Sequence, residues 1–222
     1  MDFTPVLSFL NELKQNNDRE WFHENKDKYQ IARQLVLEFT DDLIKGIKTF
    51  DPDIGLPKAK DCLFRIYRDV RFSKDKSPYK TNFGSFISKG GRKGNYAGYY
   101  VHIEPDGSFL GGGIYMPAAP ALKAVRNEIY FNPSKFLEIV EDKRFKKYFD
   151  SLSGEKLKRP PQGFPKDFPY IEYLKYKSFV VLHNVDDKTL LRKDFAGYSL
   201  DVFKAMHKLN AFINRGIDMA EN

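Results

Sequence analysis

Arg65, Arg68 and Arg71 stand within seven residues of one another, and Lys76 and Lys80 follow them. A guanidinium presents a rigid fork of N–H donors that matches carboxylate and phosphate, and an ammonium adds a compact point charge. Gathered on a folded surface, these five side chains would grip an anionic ligand and stabilise negative charge developing on it. Asp69 and Asp75 are interleaved with the cations. They would either orient the guanidinium groups or act as general base. Tyr79 places a phenol beside Lys80. Two carboxylates without a neighbouring His or Asp cluster make no metal site, and no tightly bound metal is expected.

Of His23, His102, His183 and His207, none shows ligand spacing such as His-Glu-x-x-His. His102 is the candidate acid or base, because with Tyr100 it falls on one face of a predicted hairpin from Tyr96 to Tyr115. The turn is placed at Pro105-Asp106-Gly107-Ser108. Pairing Glu104 with Phe109 sets Ile103 opposite Leu110 and Tyr99 opposite Ile114 on the apolar face. On the other face it sets His102 opposite Gly111 and Tyr100 opposite Gly113. Glycines facing an imidazole and a phenol either leave a concavity or mark a bulge. Lys89-Gly90-Gly91-Arg92-Lys93-Gly94 is basic and glycine-rich but lacks the Gly-Lys-Ser/Thr ending of a phosphate loop, so it reads as a hairpin tip.

The motif lies in a wider basic stretch: Asp61 to Lys93 holds nine basic and three acidic residues, net +6 of the chain's +7. Three carboxylates cannot neutralise nine cations, which favours a preorganised site for an anionic ligand such as a phosphorylated small molecule. The competing structural reading is an ion-pair network that staples a long loop to neighbouring helices. Two other functions fit the same composition. Tyr67, Tyr79, Tyr96, Tyr99 and Tyr100 interleave with cations as in stacking platforms for single-stranded nucleic acid, and a basic face also suits an acidic protein partner. Neither a cofactor nor a reaction is specified by these residues.

The elements that must position this motif follow from periodicity. Thr4-Pro5 starts a helix with Val6, Phe9, Leu10 and Leu13 on one face, and Asn16-Asn17 ends it. Asp18 starts a second, longer helix burying Phe22, Tyr29, Ala32, Val36, Phe39, Leu43 and Ile47, which completes an N-terminal helical hairpin. From Cys62 the period changes to two, and strands are expected to about Tyr115, with Leu63 to Tyr67 extended. Helices follow through Leu122, Val125 and Ile129 and from Pro133. A proline-rich basic loop spans Ser153 to Asp167, a central strand Ser178 to Val185, and a last helix is capped by Ser199. The fold expected is α+β, a single domain over residues 1–222 with a mainly antiparallel sheet covered by helices on one face. Cys62 cannot pair internally and fits a core position in a reducing compartment. No apolar run approaches a membrane span and the start lacks a leader pattern, so a cytoplasmic protein without membrane partners is expected.

Arg65, Arg68-Asp69, Arg71-Phe72, Asp75-Lys76 and Tyr79 together resemble the RxxRDxRFxxDKxxY signature of domain-of-unknown-function family 2461. Leu13, Asn16-Asn17, Glu20-Trp21-Phe22, Asn25-Lys26 and Tyr29 resemble that family's N-terminal pattern. Gly98-Tyr99-Tyr100 with Gly111-Gly112-Gly113 resembles its central hairpin, and Ile171-Glu172-Tyr173-Leu174 with Lys177-Ser178-Phe179 its C-terminal strand region. The resemblance runs nearly end to end and implies no activity. Where the family often carries a histidine before a late proline, this chain has Phe168-Pro169.

Overall fold

A computed structural model describes the backbone of residues 1–221 and the side chains of residues 1–220. Helix α1 (Thr4–Gln15) buries Val6, Leu7, Phe9, Leu10 and Leu13, with Pro5 in its first turn, where a missing N–H costs nothing. The cap differs from expectation: Thr4 is already helical, and its amide donates to Asp2 Oδ1 at 2.9 Å. Asp18 caps the next helix as expected by accepting from the Trp21 amide. That helix is shorter than its periodicity predicts. It divides at Asn25 into α2 (Arg19–Glu24) and α3 (Lys26–Lys48), because the Asn25 side chain donates to the Trp21 carbonyl and competes with the helical ladder. Phe3 stacks edge-on against Phe39 and Phe195, tying the first helix to α3 and to the far end of the chain.

After a turn at Pro52–Ile54 comes α4 (Ala59–Cys62), so Cys62 closes a helical turn instead of opening a strand. It is nonetheless a core residue, and burial, with Asp61 nearby, raises its thiol pKa to about 11. The sheet has four antiparallel strands in sequence order: β1 (Phe83–Ile87), β2 (Gly98–Ile103), β3 (Ser108–Ile114) and β4 (Phe179–Val185). Between β3 and β4 lie α5 (Ala119–Phe131), α6 (Pro133–Val140), α7 (Lys143–Lys146) and α8 (Ile171–Leu174). Then α9 (Asp187–Leu190) and the long α10 (Phe195–Glu221) finish the chain. The molecule is thus α+β, with an N-terminal helical hairpin and helices packed on one sheet face, α10 along β3 and α3 along β1. Tyr99, Val101, Ile103, Leu110 and Val181 are buried beneath them.

Three details depart from the sequence expectation. The β2–β3 turn sits one residue early, at Glu104–Gly107, because Ser108 Oγ exchanges hydrogen bonds with the Glu104 backbone and Asp106 takes a φ of 59°. Val101 therefore pairs with Leu110 and His102 with Phe109. A shift of two residues leaves every side chain on its expected face, so Tyr100 and His102 still point away from the helices. Second, β4 is an edge strand and not a central one; its exposed Leu182 and half-buried His183 reflect one uncovered face. Third, α10 begins four residues before Ser199, which is buried and bonds back to the Phe195 carbonyl. The long basic loop is present and is pinned to β4's approach by bridges from Ser153 to Val180 and from Lys156 to Tyr176.

The glycines of β3 serve packing. A Cβ on Gly112 would lie 2.2 Å from Met206 Sδ, so α10 reaches the sheet only because that side chain is missing. Gly113 has a φ of 103°, the positive region glycine favours. On the open face, the space over Gly111 is taken by Leu182, so of the two alternatives, concavity or bulge, the concavity is filled there.

Candidate functional site

The basic motif forms an irregular ribbon, not a regular strand from Leu63. Its arms touch at single bridges, Leu63 to Ser85 and Tyr67 to Tyr79. Backbone bonds run from Phe64 N to Gly84 O, Lys80 N to Ile66 O and Arg68 N to Pro78 O. Pairing extends no further because Pro78 has no N–H and because Asp69 and Asp75 accept the amides of Arg71 and Ser77, folding residues 69–77 into a local loop. Ile66 is buried and anchors one arm. The other arm is clamped from outside: the Asn17 side chain donates to the Tyr79 carbonyl at 3.0 Å and accepts from the Tyr79 amide at 3.1 Å, mimicking a paired strand.

This docking creates a cleft of about 410 Å³ between α2 and the ribbon, lined by Arg19, Phe22, His23, Lys26, Tyr67, Arg68, Val70, Pro78 and Tyr79. Phe22 stacks on Tyr79 with centroids 4.0 Å apart and planes within 13°, and Tyr67 leans on both rings. Tyr67 keeps 53% of its surface exposed, which leaves an aromatic wall open to solvent. Four basic side chains and no carboxylate line the cleft among the described residues. Among the described residues, Arg19, His23 and Lys26 form no ion pair. Arg68 is held by Asp75 through Nη1, and the same nitrogen donates to the Ser77 carbonyl at 3.2 Å.

The structure divides the remaining predicted residues into separate groups. Asp75 accepts from Ser77 Oγ at 2.6 Å and Ser77 N at 2.9 Å, and then from Arg68; those bonds, in that order, drive its carboxyl far below the usual range. Asp69 takes a two-pronged bond from Arg71, which lowers its pKa as well. Carboxylates so stabilised are weak bases, and the geometry assigns both to shaping the loop. Arg71 lies at the loop tip, and Lys76 Nζ donates to the Val70 carbonyl at 3.0 Å. Arg65 and Lys80 belong to a different cluster. Tyr79 and Lys80 are consecutive on an extended arm, so Lys80 points away from the cleft, and its ammonium lies 5.5 Å from the Phe64 centroid.

Tyr100 and His102 lie on the open sheet face. His102 Nε2 donates to Glu104 Oε2 at 3.1 Å, the Tyr100 hydroxyl donates to Nδ1 at 3.1 Å, and the imidazole stacks on Phe109. Burial first, then the Glu104 charge, raises the Tyr100 pKa to about 12. Both imidazole nitrogens are thus engaged within the protein. His207, set aside in the sequence, has a more open arrangement. It lines a second cleft of about 410 Å³ with Asp51, Asp53, Lys89 and Asp218. The Tyr99 hydroxyl donates to Asp51 Oδ2 at 2.7 Å and contacts His207 Nδ1 at 3.2 Å. A phenol has one proton, already given to Asp51, so Nδ1 must be the donor and a neutral His207 carries its lone pair on Nε2. Burial opposes the Asp51 charge, but bonds from His207 and Tyr99 outweigh it and lower that carboxyl's pKa.

Arg19, His23 and Lys26 were missed in the sequence because they precede the motif by some forty residues and look like ordinary solvated helix positions; only Asn17 and Phe22, which dock the ribbon, bring them to Arg68. Among the described residues no group of three or more His, Cys, Asp or Glu side chains could hold a metal ion, and no helix is long and apolar enough to cross a membrane. Residues 5–212 match the family of conserved hypothetical proteins DUF2461, and the chain belongs to that family. No curated protein and no solved structure matches it.

Proposed function

We propose that this DUF2461 protein binds a phosphate-bearing small molecule in the cleft between α2 and the basic ribbon. The observation that carries the reading is the convergence of Arg19, His23, Lys26 and Arg68 on one cavity without a lining carboxylate, three of the four unpaired. Charges held together without counter-ions repel one another, and an anion bound among them relieves that cost. Arg68, braced by Asp75, is preorganised to donate toward a phosphate oxygen, while Arg19, His23 and Lys26 close from the rim. The exposed ring of Tyr67, backed by the buried Phe22–Tyr79 stack, suits a planar portion of the ligand, such as a nucleobase.

A thermal-shift and calorimetric panel of pyrophosphate, nucleotides and sugar phosphates, at low and at physiological salt, tests this reading. A discrete phosphorylated compound should stabilise the protein at both ionic strengths. Arg19→Gln, Lys26→Gln and Arg68→Gln should each weaken it by about tenfold or more while leaving the fold intact, since a charge-assisted bond contributes roughly 1.5–3 kcal/mol. Equal binding by wild type and all three variants would overturn the assignment. Binding only by single-stranded oligonucleotides would replace the small ligand with a strand.

A further inference from the structure

We propose that Lys80 and Arg92, gathered on Phe64, with Arg65 next to that ring in the chain, form a second oxyanion-binding site, separate from the α2 cleft and suited to a phosphate group. The positions of these cations are set by the backbone and not by chance on a flexible surface. Arg92 Nη1 donates to the carbonyls of Leu63 at 2.7 Å and Asp61 at 3.1 Å, which holds the guanidinium, and among the described residues its other donors make no hydrogen bond. Its Cζ lies 5.9 Å from the Phe64 centroid, and Lys80 Nζ lies 5.5 Å from the same ring. Lys80 is fixed in turn by its amide bond to Ile66, one residue beyond Arg65. Phe64 is 38% exposed and packs edge-on toward Tyr100, so the cluster opens to solvent beside the uncovered sheet face.

The electrostatics are those of cations clustered without carboxylate partners. Neither Arg65 nor Lys80 makes an ion pair among the described residues, and Arg92 spends its bonds on carbonyls. Lys80 is half-buried, and burial, then the charges of Arg65 and Arg92, lower its pKa. The cation–π contacts with Phe64 offset only part of that cost, since such contacts are weak where the ring is exposed to water. Phosphate matches what is left: a forked donor from each guanidinium and a point charge from Lys80, with Asp69, the acidic group that feels the Arg65 charge, paired to Arg71. An anion bound here would raise the Lys80 pKa again, so ligand affinity and Lys80 protonation are linked.

Lysine-selective ¹³C NMR on the full chain, with Lys80 assigned by Lys80→Arg, reads the site directly while the His23 resonances read the α2 cleft in the same sample. Pyrophosphate is the probe, with citrate and a ten-residue oligothymidylate as comparison arms. Pyrophosphate should shift Lys80 and raise its pKa at physiological salt, and Arg65→Gln with Arg92→Gln should weaken that response about tenfold or more. Arg19→Gln with Lys26→Gln should abolish the His23 response and leave that of Lys80 unchanged, so either site can fail alone. A Lys80 response that vanishes with salt, that citrate reproduces equally, that only the oligonucleotide elicits, or that disappears with the cleft variants would overturn the proposal.

Discussion

Asp75 and Arg68 stand at the proposed site as a positioned pair. The Asp75 carboxyl is stabilised first by the Ser77 hydroxyl and amide and then by Arg68, so its folded pKa lies below the ordinary value. That contribution is complete above the unfolded carboxylate range, about 3.9, and is lost as pH falls through the depressed folded value. Asp75→Asn should therefore lower the melting temperature modestly at neutral pH, and the gap from wild type should narrow progressively as pH falls below about 3.9. The same variant should weaken pyrophosphate binding, because an amide holds the guanidinium less firmly. Thermal unfolding across pH, paired with calorimetry at neutrality, checks both parts; a gap that persists in acid would mean Asp75 acts through packing. The alternation of Arg65, Arg68 and Arg71 makes a cationic site visible in the chain, but three arginines in a row of seven look equivalent there. In the structure one braces a cleft, one joins Lys80 and one pairs with Asp69 at a loop tip.

At the level of elements, the site depends on how firmly the ribbon is held to the α1–α2 turn. Asn17 supplies both bonds to the Tyr79 backbone, and Phe22 supplies the stacking surface. Removing the Asn17 amide exposes a carbonyl and an amide that have no other strand to pair with. Asn17→Ala should cost roughly 1–3 kcal/mol, with the melting temperature falling about 2–4 °C per kcal/mol in a chain of this size. Faster hydrogen exchange at the Tyr79 amide and weaker ligand binding should accompany that loss. Unchanged exchange would show that Phe22 and Ile66 suffice to hold the arm. Asn16-Asn17 reads in sequence as a helix end, which it is; that one of the two also works as a surrogate strand depends on a partner 62 residues away. The β2–β3 turn shows the same limit at shorter range. Its glycine and aspartate mark the reversal, but the side chain of Ser108 chooses which residue pairs first.

Over the whole molecule, net +6 of the chain's +7 lies between Asp61 and Lys93, and the reach of that charge depends on ionic strength. Oligothymidylate affinity should fall steeply between about 50 and 200 mM salt, whereas a phosphorylated ligand seated in the α2 cleft should lose far less; fluorescence anisotropy and calorimetry over a salt series separate the two, and parallel losses would point to a strand as the natural partner. The sequence by itself determined the α+β class, the helical hairpin, the inward faces of the helices and of β2 and β3, and the presence of an excess of cations, because those properties rest on local periodicity, turn chemistry and composition. Only the tertiary structure decided that β4 lies at the edge, that Arg19, His23 and Lys26 meet Arg68, and that Arg65 and Lys80 turn elsewhere to Arg92. Those outcomes are set by contacts between segments far apart in the chain, where burial of Phe22, Ile66 and Tyr79 outweighs any preference the ribbon has alone.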